Sequence, residues 1–207
     1  KELLKIHKDM PVILIGGTPV EMGEWINQAK AVVWGWYAGM EGGTAMAEVL
    51  LGEINPSGKL PESFYKTLKD CSAHSLGEFP GDENVKYSEG IYVGYRYLDK
   101  YEIEPQFCFG HGLSYTTFEY ENLVLDRTDH KISLTVKNTG NMNGSEVIQV
   151  YIQKENETDI VKELAGFEKV SLKAGEEKRV TIDVAVENGF SCKFFVGSSS
   201  RDIRLMD

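Results

Sequence analysis

The sequence predicts an α/β plus all-β chain: a partial parallel-sheet α/β layer followed by an antiparallel β-sandwich. Two patterns predict this. In the first half, short apolar runs alternate with helix-forming stretches, as in strands laid side by side in parallel. Beyond Phe118, apolar residues recur at every second position between regular turn signals, as in sandwich strands. A third feature lies between the two. Tyr87 to Tyr120 holds seven tyrosines, with glycines at Gly90, Gly94, Gly110 and Gly112. Phenols this dense need polar partners if they are buried. The glycines mark turns or close approach of backbone to backbone.

Taken in order, Glu2 to Lys8 is charged and amphipathic and reads as a helix feeding a buried strand at Val12 to Ile15. Gly16-Gly17 turns the chain. Thr18, Pro19 and Glu21 then have the spacing of a helix start, with Thr18 as N-cap, Pro19 in the first turn and Glu21 closing a capping box. Ala31 to Trp34 reads as a second buried strand. After the Gly39 to Gly43 loop, Thr44 to Leu51 is helical and stops at Gly52. In the second half, Ile132, Leu134 and Val136 alternate with polar residues. Val147, Gln149 and Tyr151 share that spacing, as do Val180, Ile182 and Val184. Turn signals fall at Asn138-Thr139-Gly140, Asn143-Gly144 and Ala174-Gly175-Glu176. The boundary falls near Tyr115, giving units of residues 1–115 and 116–207.

Composition narrows the function classes. The chain has 207 residues, 42% of them hydrophobic, and a net charge of −10 from 32 acidic and 22 basic residues. A packed core is expected. A nucleic-acid partner is not, since it would need a basic face. No apolar run is long enough to span a bilayer, so no membrane partner is expected. Cys71, Cys108 and Cys192 have no metal-site spacing. Their odd count fits reduced structural thiols, which favours a reducing compartment such as the cytoplasm. Lys1 opens no signal-peptide pattern, which says nothing of secretion, because the chain need not begin at a natural N-terminus. No motif calls for a cofactor.

Four motifs resemble a known family in its own order: Trp36-Tyr37-Ala38-Gly39-Met40-Glu41-Gly42-Gly43, Asn55-Pro56-Ser57-Gly58-Lys59-Leu60-Pro61, EGIYVGYRY from Glu89, and FGHGLSYTTFEY from Phe109. Together they resemble the C-terminal part of a glycoside hydrolase family 3 β-glucosidase, and the likeness covers nearly the whole chain. It implies that 1–115 is the C-terminal portion of the family's α/β sandwich domain. It also implies that 116–207 is a fibronectin type III-like domain, whose strands VKNTG, EVIQVYI, KELAGFEKV and GEEKRVTIDV resemble. Two departures stand out. Cys108 sits where the family usually has proline, and reads as a small apolar filler. Val184 to Lys193 spans only ten positions where the family usually has a longer hairpin region, so either this member is shortened there or the sequence lacks residues at that point.

The resemblance further implies retaining hydrolysis of terminal β-D-glucosides by two carboxyl groups about 5 Å apart. The family's nucleophile is an Asp followed by Trp on a TIM barrel. Its acid/base Glu lies on a loop preceding the segment that matches Lys1. No catalytic residue is therefore assigned within this chain. Trp36, Tyr37 and Glu41 are the candidates for substrate contact or for supporting the site, since they follow a parallel strand at its carboxyl end. Trp36 and Tyr37 could face an aglycone or be covered by the barrel. Glu41 could orient the acid/base loop or could cap the helix from Thr44. Glu89 reads as a structural partner of Arg96 or of nearby tyrosines. His111, alone among glycines, is weak evidence for a metal, and none is assigned. The expected partners are a β-linked glucoside or oligosaccharide and a TIM-barrel domain of the same protein, with homo-oligomerisation left open. The competing reading is a non-catalytic carbohydrate-binding or interaction module that keeps the fold alone.

Overall fold

The structure, a computed structural model, describes residues 2–7, 9–155, 161–186 and 191–207. Helix α1 (Glu2–Ile6) leads to strand β1 (Val12–Leu14), which pairs in parallel with β2 (Val32–Trp34), Val12 opposite Val32 and Leu14 opposite Trp34. Neither strand is fully buried. Ile13 and Ile15 are exposed, because a two-stranded parallel sheet has too few neighbours to cover both of its faces.

The helix expected from Thr18 does not form. A single stretch of 3-10 helix runs over Gly23–Gln28 from Met22. The carboxylate of Glu21 is engaged elsewhere, accepting the Leu68 N–H. That bond spans a long loop and removes the group that would have closed the local cap. The capping box forms instead at Thr67 and Asp70, at the start of the 3-10 turn Leu68–Asp70.

Helix α2 (Gly42–Leu51) begins two residues before Thr44. It ends as expected at Gly52, whose φ of +77° is a left-handed turn natural to glycine. Short helices α3 (Ser72–Ser75) and α4 (Tyr95–Lys100) complete the first unit, with a lone antiparallel bridge from Phe64 to Phe107.

Among the described residues seven antiparallel strands follow: β3 (Phe118–Asp126), β4 (Lys131–Asn138), β5 (Gly144–Lys154), β6 (Glu163–Leu172), β7 (Glu177–Asp183), β8 (Cys192–Gly197) and β9 (Ile203–Met206). They form a three-stranded sheet, β3-β4-β7, packed on a four-stranded sheet, β6-β5-β8-β9. Ile132, Leu134 and Val136 of β4 point into the core with Val180 and Ile182 of β7, as their spacing predicts. Strand β5 contributes Ile148, Val150 and Ile152 instead of Val147, Gln149 and Tyr151. Both faces of β5 are covered, so VIQVYI is almost continuously apolar and its period alone does not choose the inward face.

The amide of Asn138, fully buried at the end of β4, fixes the turn into β5. It donates to the carbonyls of Met142 at 2.8 Å and Leu172 at 3.3 Å. It accepts from the Thr116 hydroxyl at 2.6 Å and the Gly140 N–H at 3.1 Å. All four of its hydrogen-bonding positions are filled. The stretch from Val184 to Lys193, expected to depart from the family's hairpin region, includes residues 187–190, which lie outside the described residues.

The outward face of β5 meets the first unit. Tyr95 of α4 accepts the Leu164 N–H at 2.9 Å, stacks on Phe109 with centroids 4.9 Å apart, and meets Tyr151 edge-on at 5.9 Å. Gln149 donates to the Gly110 carbonyl at 3.4 Å, and a Cβ at Gly110 would stand 2.2 Å from its Oε1. Asp99 of α4 binds Lys162 and, at 2.9 Å, Arg201. Arg96 pairs with Glu163 at 3.9 Å and not with Glu89, because α4 presents it to β6. The aromatic block is thus only partly seam: Tyr120 lies in the sandwich core, and Tyr87 is 82% exposed. Cys108 is more than a filler, since its thiol donates to Ser199 at 3.4 Å. All three cysteines are free.

Candidate functional site

The loop leaving β2 is held by packing on one side and open on the other. Gly35 is buried, and a Cβ there would stand 3.0 Å from the Met46 methyl of α2. The next residue, Trp36, has a φ of +45°. For a bulky L-residue this conformation is an outlier and costs on the order of 1–3 kcal/mol. Aromatic packing holds it there. Trp36 meets Trp34 edge-on at 5.6 Å and Phe64 at 6.4 Å, and Phe64 lies 4.9 Å from Trp34. The row continues through Phe107 to His111. The indole N–H of Trp34 is buried and has no partner among the described residues.

Tyr37 is 79% exposed, and Met40 is 98% exposed. The Tyr37 ring lies against Gly17, where any Cβ would stand 2.7 Å from it. Gly39, with a φ of +71°, reverses the loop toward α2. Glu41 occupies the N-cap position of α2, but its side chain caps no backbone N–H. It accepts only the Thr44 hydroxyl, at 3.2 Å, and is exposed. The capping alternative for Glu41, which needs the amides at the start of α2, is thus not realised.

The structure therefore brings Trp36, Tyr37 and Glu41 onto one loop at the carboxyl end of the parallel sheet. It supplies no second carboxyl group on that loop, and among the described residues no group of acidic, cysteine and histidine side chains could hold a metal. Burial raises the phenols of Tyr65, Tyr120 and Tyr151, so these stay protonated and offer no base. The supporting role of Phe64 escaped sequence reasoning, and Gly17 was legible only as a turn. Both act through contacts far along the chain, with Trp34 and Trp36 for Phe64 and with Tyr37 for Gly17.

Residues 1–95 match the glycosyl hydrolase family 3 C-terminal domain, and residues 146–193 match the fibronectin type III-like domain. The chain is 45% identical over 196 residues to beta-glucosidase BoGH3A of Bacteroides ovatus, covering 89% of this chain and 26% of that protein. It is 43% identical over 227 residues to thermostable beta-glucosidase B of Acetivibrio thermocellus, covering 98% of this chain and 30% of the relative. That alignment is longer than this chain, so the relative carries internal residues this one lacks. Among solved structures, the Kluyveromyces marxianus beta-glucosidase in complex with glucose superposes with a TM-score of 0.92 at 39% identity, covering 99% of this chain and 27% of that one. DesR, a beta-glucosidase from Streptomyces venezuelae in complex with D-glucose, gives 0.89 at 36% identity, covering 99% and 29%. The chain spans between a quarter and a third of the length of these relatives. The domain matches, in this order and over this fold, show that the chain belongs to glycoside hydrolase family 3 and corresponds to its C-terminal region.

Proposed function

We propose that this chain is the C-terminal region of a retaining β-glucosidase that acts on terminal β-D-glucosides, with both catalytic carboxylates on parts of the protein outside the chain. The observation that carries this reading is the alignment of nearly the whole chain with relatives named beta-glucosidases. The chemistry needs a nucleophilic carboxylate and an acid/base carboxyl about 5 Å apart. The candidate loop offers Glu41 alone, so its role is support. In this reading Trp36 and Tyr37 form an apolar wall beside the substrate or against a TIM-barrel companion of about 250 residues. Glu41 steadies the neighbouring acid/base loop. The division of labour falls at residues 115 and 116, the sandwich serving as the base on which the α/β unit is mounted.

The test compares the 207-residue chain with the protein that carries it, each incubated with an aryl β-glucoside. The expected result is turnover by the whole protein and none by the chain. Turnover by the chain that survives re-purification would overturn the assignment of chemistry to the missing part. A whole protein that binds sugar without turnover would instead make this a carbohydrate-binding module.

A further inference from the structure

Among the described residues of the seam, His111 is placed to change charge near neutral pH. Its backbone is pinned, with the Leu60 N–H donating to the His111 carbonyl at 2.8 Å and the Gly110 N–H to the Leu60 carbonyl at 2.8 Å. The half-buried ring stacks on Phe107, with centroids 5.0 Å apart and planes 26° apart. Beside it, Lys59 donates to the Gly112 carbonyl at 3.0 Å and pairs with Glu146 of β5 at 2.9 Å. Both members of that pair are nearly buried, and the pair joins the first unit to the sandwich. The backbone there is tightly packed, since a Cβ at Gly112 would stand 2.1 Å from the Gly58 carbonyl.

The charges facing His111 are therefore Lys59 from its own unit and, behind it, Glu146 from β5. Asp202, at the turn into β9, and Arg204, within β9, pair at 2.8 Å and act electrostatically on Lys59 and Glu146. Taken together these four side chains balance, two cations against two carboxylates. A buried ion pair in such a place depends on its balance, because an unmatched charge cannot turn to water for compensation.

We propose that His111 makes this seam acid-labile. A proton on its ring sets a second cation beside Lys59, whose carboxylate partner is already engaged, and loosens the contact between the α/β unit and the sandwich. Half-burial of the ring, and then the Lys59 ammonium, hold the imidazole below its ordinary value. The unfolded chain takes up this proton near about pH 6.5, before the folded chain does. The stability that neutral His111 supports is thus complete above that pH, and it is lost as pH falls through the lower folded-state value. The inference does not depend on the activity proposed above.

Two measurements on the 207-residue chain test it. NMR titration of the imidazole should place the His111 midpoint below that of an exposed histidine. A midpoint at or above the exposed value overturns the proposal. Amide hydrogen exchange, corrected for intrinsic rates, should lose protection several-fold more at Gly110, Leu60 and Leu164 than at Val150 of the sandwich core when the pH drops from 7 to 5.5. In His111→Phe, which keeps the stack on Phe107 but cannot titrate, that selective loss should vanish. Persistence of the loss in the variant, or equal loss at Val150 in the parent, overturns the proposal. If His111→Phe fails to fold, the midpoint and the site-by-site exchange of the parent still decide the matter.

Discussion

The sandwich and the parallel sheet of this chain meet water differently. In the sandwich, β4 and β7 on one side and β5 and β8 on the other close over Leu134, Val136, Ile148, Val150 and Val196, all at or near zero exposure. Among its described residues, Val124, Phe167 and Met206 are the large apolar side chains left exposed. In the first unit, no residue of β1 or β2 is fully buried, and Leu3, Ile6, Ile15, Tyr37, Met40 and Leu51 all stand in water. A parallel sheet is normally covered on both faces, and this one is not. The difference teaches which part is self-sufficient. The sandwich carries its own core, while the α/β unit leans on the sandwich through α4 and leaves its parallel sheet open.

The largest expected effect comes from separating the two. Residues 116–207 produced alone should fold cooperatively, with dispersed amide resonances and a sigmoidal melt. Residues 1–115 alone should not fold. A cooperative melt for residues 1–115 and none for residues 116–207 would reverse the comparison. Within the intact chain, the same contrast appears in single substitutions. Leu134→Ala, at a site with no exposure, should cost about 2–5 kcal/mol in urea titration. Ile15→Ala, at 74% exposure, should fall within about 0.5 kcal/mol of the parent. Similar losses at the two sites would mean that the chain leaving β1 is better packed than its exposure shows.

These contrasts follow how much could be read from the chain beforehand. Strands β4 and β7 were legible because one face of each is dry and the other wet, which writes a period of two into Lys131–Asn138 and Glu177–Asp183. Strand β5 was legible as a strand but not in its inward face, since the seam dries its other side as well. Helix α2 was legible from Gly52, whose left-handed turn is local. The failed helix at Thr18 and the missed role of Phe64 share one cause. The deciding partners, Leu68 for Glu21 and Trp34 and Trp36 for Phe64, lie tens of residues away. The candidate loop was legible as an address at the end of a parallel strand, but the positive φ of Trp36 has no sequence signature.

The seam between the units can be weakened by degrees. Tyr95→Ala removes the stack on Phe109, the edge contact with Tyr151 and the bond from Leu164, and should cost about 2–4 kcal/mol. Tyr95→Phe keeps the ring and removes only the hydroxyl, so about 1 kcal/mol is expected. Equal costs for the two would show that the hydroxyl carries the contact and the rings do not. Trp36→Ala should shift thermal stability less than Tyr95→Ala does, because Trp36 meets its neighbouring rings edge-on, while Tyr95 adds a stack and accepts a backbone N–H. Its larger effect should be on association: self-association of the chain, or docking of a separately produced barrel domain, should weaken by sedimentation. Unchanged association in both settings would make the loop an ordinary surface turn.

The smallest effect tests whether the sandwich is as complete in its electrostatics as in its packing. Asp202, in the turn into β9, accepts two bonds from Arg204, at 2.8 and 3.1 Å, and one from the Ser198 hydroxyl at 2.6 Å. The Arg204 guanidinium chiefly, then the Ser198 hydroxyl, outweigh partial burial and hold this carboxyl below the usual carboxylate range. Because its folded-state value lies below the unfolded one, the stability it adds is present above about pH 4 and is lost as pH falls through the lower folded value. The side chain is half exposed, so solvent screening keeps the contribution to at most about 1 kcal/mol. Asp202→Asn should therefore lower the melting temperature slightly at pH 7 and flatten its fall between pH 4 and pH 2. Arg204 remains anchored in the variant by its bond to the Phe118 carbonyl at 2.9 Å and its stacking over Tyr120 at 4.5 Å, which is why the loss stays small. A drop as large as that of Leu134→Ala would mean that the turn at Ser198 to Asp202, and not the apolar core, sets the stability of the sandwich.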